Sequence, residues 1–186
     1  YHIPTTLKSV TITGGYISKN AFYNCSNLTN VELGDKVTGV GDSAFYNCSS
    51  LQYNEENDLC YLGNDTNKFL YLAWAYDWIT TAIINENCKY IDDYAFYNCN
   101  ALKSIQLPST LRTIEGNAFE NISNELTTLY IPANVTTIGF FAFTNFGHEI
   151  TVYAEAASKP DGWVESWCPS LKEIVWGYVP TSEEQA

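Results

Sequence analysis

Ala21-Phe22-Tyr23-Asn24-Cys25 returns unchanged as Ala44-Phe45-Tyr46-Asn47-Cys48 and again as Ala95-Phe96-Tyr97-Asn98-Cys99. Looser copies, AFENI from Ala118 and AFTNF from Ala142, complete a series with steps of 23, 51, 23 and 24 residues. A fixed period in the twenties marks a solenoid. Each repeat is one small unit that cannot bury its apolar face alone and does so by stacking on its neighbours.

Outward from these pairs a second frame recurs. Leu7, Val10 and Ile12 stand as L-x-x-V-x-I, and the spacing returns at Leu28, Val31, Leu33 and at Ile79, Ala82, Ile84. It returns again at Leu102, Ile105, Leu107, at Leu126, Leu129, Ile131 and at Leu171, Ile174, Trp176. Leu51 opens a degraded copy, and the segment around Ile150 is another whose register stays open. The frame is that of the strand of a leucine-rich repeat, and its alternating end predicts a short strand with one face inward. A corner follows at Gly34-Asp35-Lys36, Pro108-Ser109-Thr110 and Pro132-Ala133-Asn134, residue types that end a strand. A second apolar pair then faces the strand from the opposite wall: Val37 and Val40, Cys88 and Ile91, Leu111 and Ile114, Val135 and Ile138. The Ala-Phe segment is predicted to close the repeat as a single helical or 3₁₀ turn. Its Ala allows close approach and its Phe fills the interior, contributing about 1.5–3 kcal/mol by burial.

The expected fold class is therefore an α/β, β-rich leucine-rich-repeat solenoid of short parallel strands joined by helical or 3₁₀ turns. The 51-residue step holds one repeat plus an insertion at about 57–75, where two aromatic-aliphatic runs flank Gly63-Asn64-Asp65-Thr66-Asn67; that pattern predicts a β-hairpin. Residues 154–178 lack an Ala-Phe pair and carry Pro160-Asp161-Gly162, Trp163 and Trp167, as expected of a C-terminal cap on an open stack. Residues 1–178 are thus expected to form one solenoid domain, with 179–186 a polar tail or linker.

With AFYNC, the L-x-x-I-x-[LI]-P strand and the V-x-x-I-x-x-x-AF wall together, the chain resembles the BspA-like leucine-rich repeat family over roughly residues 7–178. The insertion core Leu59-Cys60-Tyr61-Leu62-Gly63-Asn64 and the end segments Ala156–Pro160 and Val175–Tyr178 are similar to units that recur there. The first turn, two residues short at Gly14-Gly15, and the Leu51 repeat depart from the pattern. The resemblance implies a cell-surface or secreted protein, in some members an adhesin for host matrix proteins or other cells. It implies no catalytic residues.

Composition sets the limits. Nine Lys+Arg against 21 Asp+Glu give a formal net charge of −12, which excludes the basic stripe that nucleic acid requires and disfavours anionic membrane surfaces. No apolar run approaches a membrane span, so no membrane insertion is expected. The sequence has no Met and no visible leader, and is read as a mature or excised piece of a longer parent chain. Of six cysteines, Cys25, Cys48 and Cys99 share one repeat position, held elsewhere by Ile122 and Phe146, and Cys88 stands where other repeats carry Val or Leu. Cysteines in such apolar slots are expected to be buried free thiols. Cys60 and Cys168 lie outside the pattern.

Catalysis by a nucleophile needs Ser or Cys beside His and a carboxylate. The two histidines, His2 and His148, have no such neighbours in sequence, so no enzyme and no cofactor are expected. Glu55-Glu56, Asp92-Asp93 and Glu183-Glu184 are read as solvated carboxylates. Asn64-Asp65-Thr66-Asn67 could supply oxygens to calcium, but an Asx turn is the simpler reading and no metal is expected. Six N-x-[ST] sequons begin at Asn24, Asn27, Asn47, Asn64, Asn121 and Asn134, and repetition alone accounts for those inside AFYNC.

The candidate binding surface is the outward row of the first strands: Ser9 and Thr11, Asn30 and Glu32, Thr81 and Ile83, Ser104 and Gln106, Thr128 and Tyr130, Glu173 and Val175. In parallel repeats these form the ladder with which solenoids bind. Ile83 and Tyr130 are its expected apolar anchors. A polar β-surface chosen for strand propensity is the other reading of the row. Trp74, Tyr76 and Trp78, with Trp163 and Trp167, raise glycan stacking as a further possibility, against a role in the core. The expected function is a non-catalytic recognition module, extracellular or on the cell surface, that binds a protein or glycan of a host or neighbouring cell. The alternative is a structural spacer or assembly subunit without its own ligand.

Overall fold

The computed structural model describes residues 3–4, 6–144 and 148–181. The chain winds into a β-solenoid of about seven turns, and among the described residues its two walls are built from fourteen strands. The first wall carries the L-x-x-V-x-I frames. It comprises the starts of β1 (Ser9–Ile17) and β2 (Asn30–Val40), then β6 (Thr81–Ile83) beside β8 (Ser104–Gln106), then β10 (Thr128–Ile131), β12 (Ile150–Ala154) and β14 (Leu171–Trp176). The opposite wall is a seven-stranded sheet in the order β13 (Gly162–Trp163), β11 (Thr137–Ile138), β9 (Thr113–Ile114), β7 (Tyr90–Ile91), β5 (Tyr71–Ala75), β4 (Leu59–Leu62) and β3 (Asn54–Glu56). Pairing is parallel from β13 to β5, as a stack of repeats requires, and antiparallel from β5 through β4 to β3.

The inward positions are those the frames predict. Leu28, Leu33, Ala82, Leu102, Leu129 and Ile138 are fully buried, with Phe96, Phe119 and Phe143 between the walls. These rings form a column, Phe96 on Phe119 at 4.6 Å and Phe119 on Phe143 at 4.7 Å, with nearly parallel planes. Phe22 stacks on Phe45 in the same way at 5.3 Å.

The helical or 3₁₀ turn predicted for the Ala-Phe segment does not form; among the described residues there is no helix. Left-handed residues prevent it. Asn20, Ser43, Tyr94, Asn117 and Phe141 precede the pairs with φ of 54–57°, and Asn24, Asn47, Asn98 and Asn121 follow them with φ of 57–62°. Two left-handed residues bracket each of the first four pairs, so the chain makes short i→i+3 turns, such as Tyr23 N–H to the Asn20 carbonyl and Cys25 N–H to that of Phe22. Where another turn follows, the turns also bond to each other: Phe22 N–H to Ala44 at 2.7 Å, Phe96 N–H to Ala118 at 2.7 Å. Asn is the residue other than Gly that tolerates this backbone best, which is what the N of AFYNC supplies. Its side chain continues the ladder, Asn47 Nδ2 donating to Asn24 Oδ1 at 2.9 Å and Asn121 Nδ2 to Asn98 Oδ1 at 3.3 Å.

A second difference lies in the first two repeats. The corner expected at Gly34-Asp35-Lys36 is inside β2, and β1 and β2 pair across it with bulges, Ile12 facing Leu33 and Gly14 facing Lys36. The backbones approach too closely for a side chain: a Cβ on Gly34 would stand 2.7 Å from the Thr13 carbonyl oxygen.

The predicted hairpin forms, with Leu59 opposite Ala75 and Leu62 opposite Tyr71. It is an internal partition, since Leu59, Cys60, Tyr61, Leu62, Tyr71 and Leu72 are all buried. Leu59, Tyr61 and Leu72 belong to the core of the later repeats, and Leu62, Leu70 and Tyr71 to that of the first two. The third repeat therefore has neither an Ala-Phe turn nor a first-wall strand; Glu32 meets Gly63 there in a single parallel bridge. Residues 182–186, with Glu183-Glu184, and Phe146 and His2 lie outside the described residues, and so does most of the expected tail.

Candidate functional site

The outward row does not form one continuous ladder. It divides into three groups. In the first, Ser9 faces Asn30 and Thr11 faces Glu32. These exposed side chains satisfy each other, Thr11 Oγ1 donating to Glu32 Oε2 at 3.1 Å and Asn30 Nδ2 to Ser9 Oγ at 3.3 Å. In the second, Thr81 faces Ser104 and Ile83 faces Gln106. In the third, β12 stands between β10 and β14, so Thr128, Thr151 and Glu173 form one line, and Tyr130, Tyr153 and Val175 another.

Sequence reasoning did not assign Thr151 and Tyr153 to this row. The alternation Ile150-x-Val152-x-Ala154 was the available signal, and those three residues are indeed the buried face of β12. Tyr153 matters because it stacks on Tyr130 at 5.3 Å, and Tyr178 leans on both, 4.9 Å from Tyr153 and 5.6 Å from Tyr130.

The second and third groups share a groove of about 580 Å³. Its floor and walls include Thr81, Ile83, Ser104, Gln106 and Tyr130, five of the residues predicted for the row. Ile83 is 49% and Tyr130 39% exposed, so both anchors offer apolar surface to a ligand. Glu86 and Glu155 line the groove as well. Each carboxylate is tethered locally, Glu155 Oε2 by the Ala133 amide at 2.9 Å and Glu86 Oε2 by the Ser109 hydroxyl at 3.3 Å. The groove thus combines aromatic and aliphatic surface with fixed acceptors, the usual composition of a recognition site. Ser9, Thr11, Asn30 and Glu32 lie in the other group, outside this groove.

The remaining candidates sort by burial. Trp163 and Trp167 are buried at the end of the stack, in edge contact at 5.1 Å, and Trp163 Nε1 donates to the Val135 carbonyl. Trp78 is 60% exposed and stacks on Tyr76. Asn64 makes an Asx turn, its Oδ1 accepting from the amides of Thr66 and Asn67 at 2.8 and 2.9 Å. All six cysteines are free and buried. Burial pushes the thiols of Cys60, Cys88, Cys99 and Cys168 up to about 12 and that of Cys48 up to about 11, the opposite of an activated thiol. His148 Nε2 lies 2.8 Å from the Leu126 carbonyl oxygen. Among the described residues no group of three or more His, Cys, Asp or Glu is placed to hold a metal, and no helix is long and apolar enough to cross a membrane. Asp92, expected to be solvated, is buried.

A sequence profile of the BspA type leucine rich repeat region matches residues 3–66 and 71–176 in six copies. The chain belongs to the BspA-type leucine-rich repeat family. Among solved structures, a leucine rich cell surface protein from Faecalibacterium prausnitzii is 29% identical with a TM-score of 0.42, over 86% of this chain and 41% of that one. A leucine rich repeat protein of T. pallidum is 21% identical with a TM-score of 0.42, over 93% and 71% respectively. The pneumococcal vaccine antigen PcpA is 16% identical with a TM-score of 0.46, over 96% and 58%. This BspA-type chain therefore spans about two fifths of the length of the F. prausnitzii protein. No curated protein matches it.

Proposed function

We propose that this BspA-type chain is a non-catalytic surface recognition module, extracellular or cell-surface, that binds a protein ligand in adhesin fashion along its first wall. One observation carries the reading. Ile83 and Tyr130, the two residues expected from the sequence to be apolar anchors, line a single groove, and Tyr153 and Tyr178 enlarge its aromatic surface. Aromatic anchors in a concave surface supply most of the energy of a protein contact, while Thr81, Ser104 and Gln106 supply adaptable hydrogen bonds. Glu86 and Glu155 favour a ligand with donors at matching positions. Thr128 and Glu173 extend the same row; Ser9, Thr11, Asn30 and Glu32 form a second, self-satisfied segment of it.

An array of matrix proteins, cell-surface proteins and glycans, probed with the purified chain and with Tyr130→Ala and Ile83→Ser, tests the reading. Saturable binding to a protein, weakened about tenfold or more by either substitution, is expected of anchor residues. Binding to glycans alone that depends on Trp78 would move the site to the insertion. A folded chain that binds nothing on the array would make it a spacer between other parts of a surface protein.

A further inference from the structure

The third repeat lacks an Ala-Phe turn, and the stack of turns is interrupted there. On one side stand Tyr46 and Asn47 of the second repeat, on the other Tyr94 and Tyr97 of the fourth, and a slot of about 450 Å³ lies between them. Trp74 of the hairpin lines it, together with Asp92 and Asp93. In the first two repeats, whose turns are consecutive, the tyrosines stack: Tyr23 lies on Tyr46 at 5.3 Å and 14°. Among the described residues no ring contact joins Tyr46 to Tyr97, so the exposed column is missing one flat member at the slot. Tyr46 is 59% and Tyr97 46% exposed.

The slot is also acidic, and among the described residues no ion pair closes on its carboxyl groups. Asp93 is fixed by the second repeat, Oδ1 accepting from the Ser43 amide at 2.6 Å and Oδ2 from the Ser43 hydroxyl at 2.8 Å. Asp92 is 8% exposed and accepts the Asp93 amide at 2.9 Å. Behind it the wholly buried Tyr71 hydroxyl stands beside the Asp92 carboxyl. The ion pairs among the described residues are Lys19 with Asp42, Lys103 with Glu125 and Lys159 with Glu165, and none reaches Asp92 or Asp93. A buried carboxylate with no cation is costly, and burial, with the neighbouring Asp93, raises Asp92 well above the usual carboxylate range.

The missing member is therefore flat, because a ring position is vacant, and positive, because the Asp93 carboxylate lines the slot and no ion pair among the described residues reaches it. A guanidinium is both. It stacks on aromatic faces and forms paired hydrogen bonds to carboxylates, whereas an ammonium satisfies the charge alone and a sugar or neutral ring the stacking alone. We propose that this slot takes the guanidinium of an arginine side chain presented by a protein partner, stacked between Tyr46 and Tyr97 and paired with Asp93. The site lies at the turns, apart from the groove on the first wall, and is independent of it.

The test is an NMR titration of the purified chain that follows the Trp74 indole. The probes are acetyl-Gly-Arg-Gly-amide, its lysine counterpart and its isosteric, uncharged citrulline counterpart. The arginine peptide is expected to shift Trp74 saturably and the citrulline peptide to bind about tenfold more weakly or worse, with lysine in between. Tyr97→Ala and Asp93→Asn are each expected to weaken the arginine peptide about tenfold, and Tyr130→Ala to leave it unchanged. Tyr97 is exposed, so its substitution keeps the readout if loss of the Ser43 contacts unfolds Asp93→Asn. Equal binding of citrulline and arginine removes the charge from the argument, and equal binding of lysine and arginine removes the stacking. No shift with the arginine peptide, or a shift with neutral oligosaccharides alone, overturns the proposal.

Discussion

Asn24, Asn47, Asn98 and Asn121 are there for their backbone. A residue at φ near +60° strains any side chain branched at Cβ, and Asn bears it at low cost while its amide joins the next turn. Charge is handled differently one wall away. Glu115 sits near Asp42 and Asp93, and burial first, then those two charges, raise it from its ordinary 4.5 to about 7. Asp92 is shifted in the same direction. A raised carboxyl means that the folded chain keeps a proton the unfolded chain has already released. Stability is then greatest below the ordinary range near 4.5 and falls as pH rises to about 7, since the unfolded state binds fewer protons over that window. Glu115→Gln removes one such group. Urea melts at about pH 4.5 and about pH 8 should show the parent losing on the order of 2–3 kcal/mol more between the two than the variant does. Equal losses would mean that Glu115 titrates normally.

The hairpin of β4 and β5 was announced by its Gly-Asn-Asp-Thr-Asn turn, which does not say where the hairpin lies in the stack. The better signal was Leu59-Cys60-Tyr61-Leu62, an unbroken apolar run: a strand with one wet face alternates, and a run without alternation is buried on both sides. The two cores meet across it, Leu59 and Tyr61 on one side, Leu62 and Tyr71 on the other. Replacing residues 59–75 by a Gly-Ser linker should therefore abolish cooperative unfolding in a calorimetric melt; a single sharp transition at the parent temperature would make the hairpin dispensable. The period and the frames made the repeat architecture and most of the core legible in the same way. The form of the turn was not legible, because AFYN suits a helical turn locally and only the stacking of turns on one another favours left-handed Asn. Within the candidate groove, Ile83 and Tyr130 were legible as apolar residues in a polar row. Tyr153 was hidden by a degenerate frame, and Asp92 by the assumption that neighbouring carboxylates both point to water, when its carboxylate is turned under the Asp93 amide.

At the scale of the whole molecule, 21 acidic residues against 9 basic ones leave a formal net charge of −12. Two salt-sensitive effects oppose each other. Screening weakens the ion pairs, and it weakens repulsion among the unpaired carboxylates. The pairs seen among the described residues, Lys19–Asp42, Lys103–Glu125 and Lys159–Glu165, join side chains that are mostly exposed, and such pairs contribute about 0–1 kcal/mol each. The repulsion is spread over many more charges and acts within the roughly 10 Å over which added salt operates. It should therefore dominate, because self-repulsion destabilises the compact state of a highly charged chain. Raising NaCl from about 10 mM to about 200 mM, which shortens the screening length from roughly 30 Å to below 10 Å, should raise the melting temperature of this chain. The gain should be largest near neutral pH, where the carboxylates are ionised, and should shrink near pH 4.5, where protonation has already removed much of the repulsion. A melting temperature that falls with salt would mean that the few ion pairs outweigh the net charge.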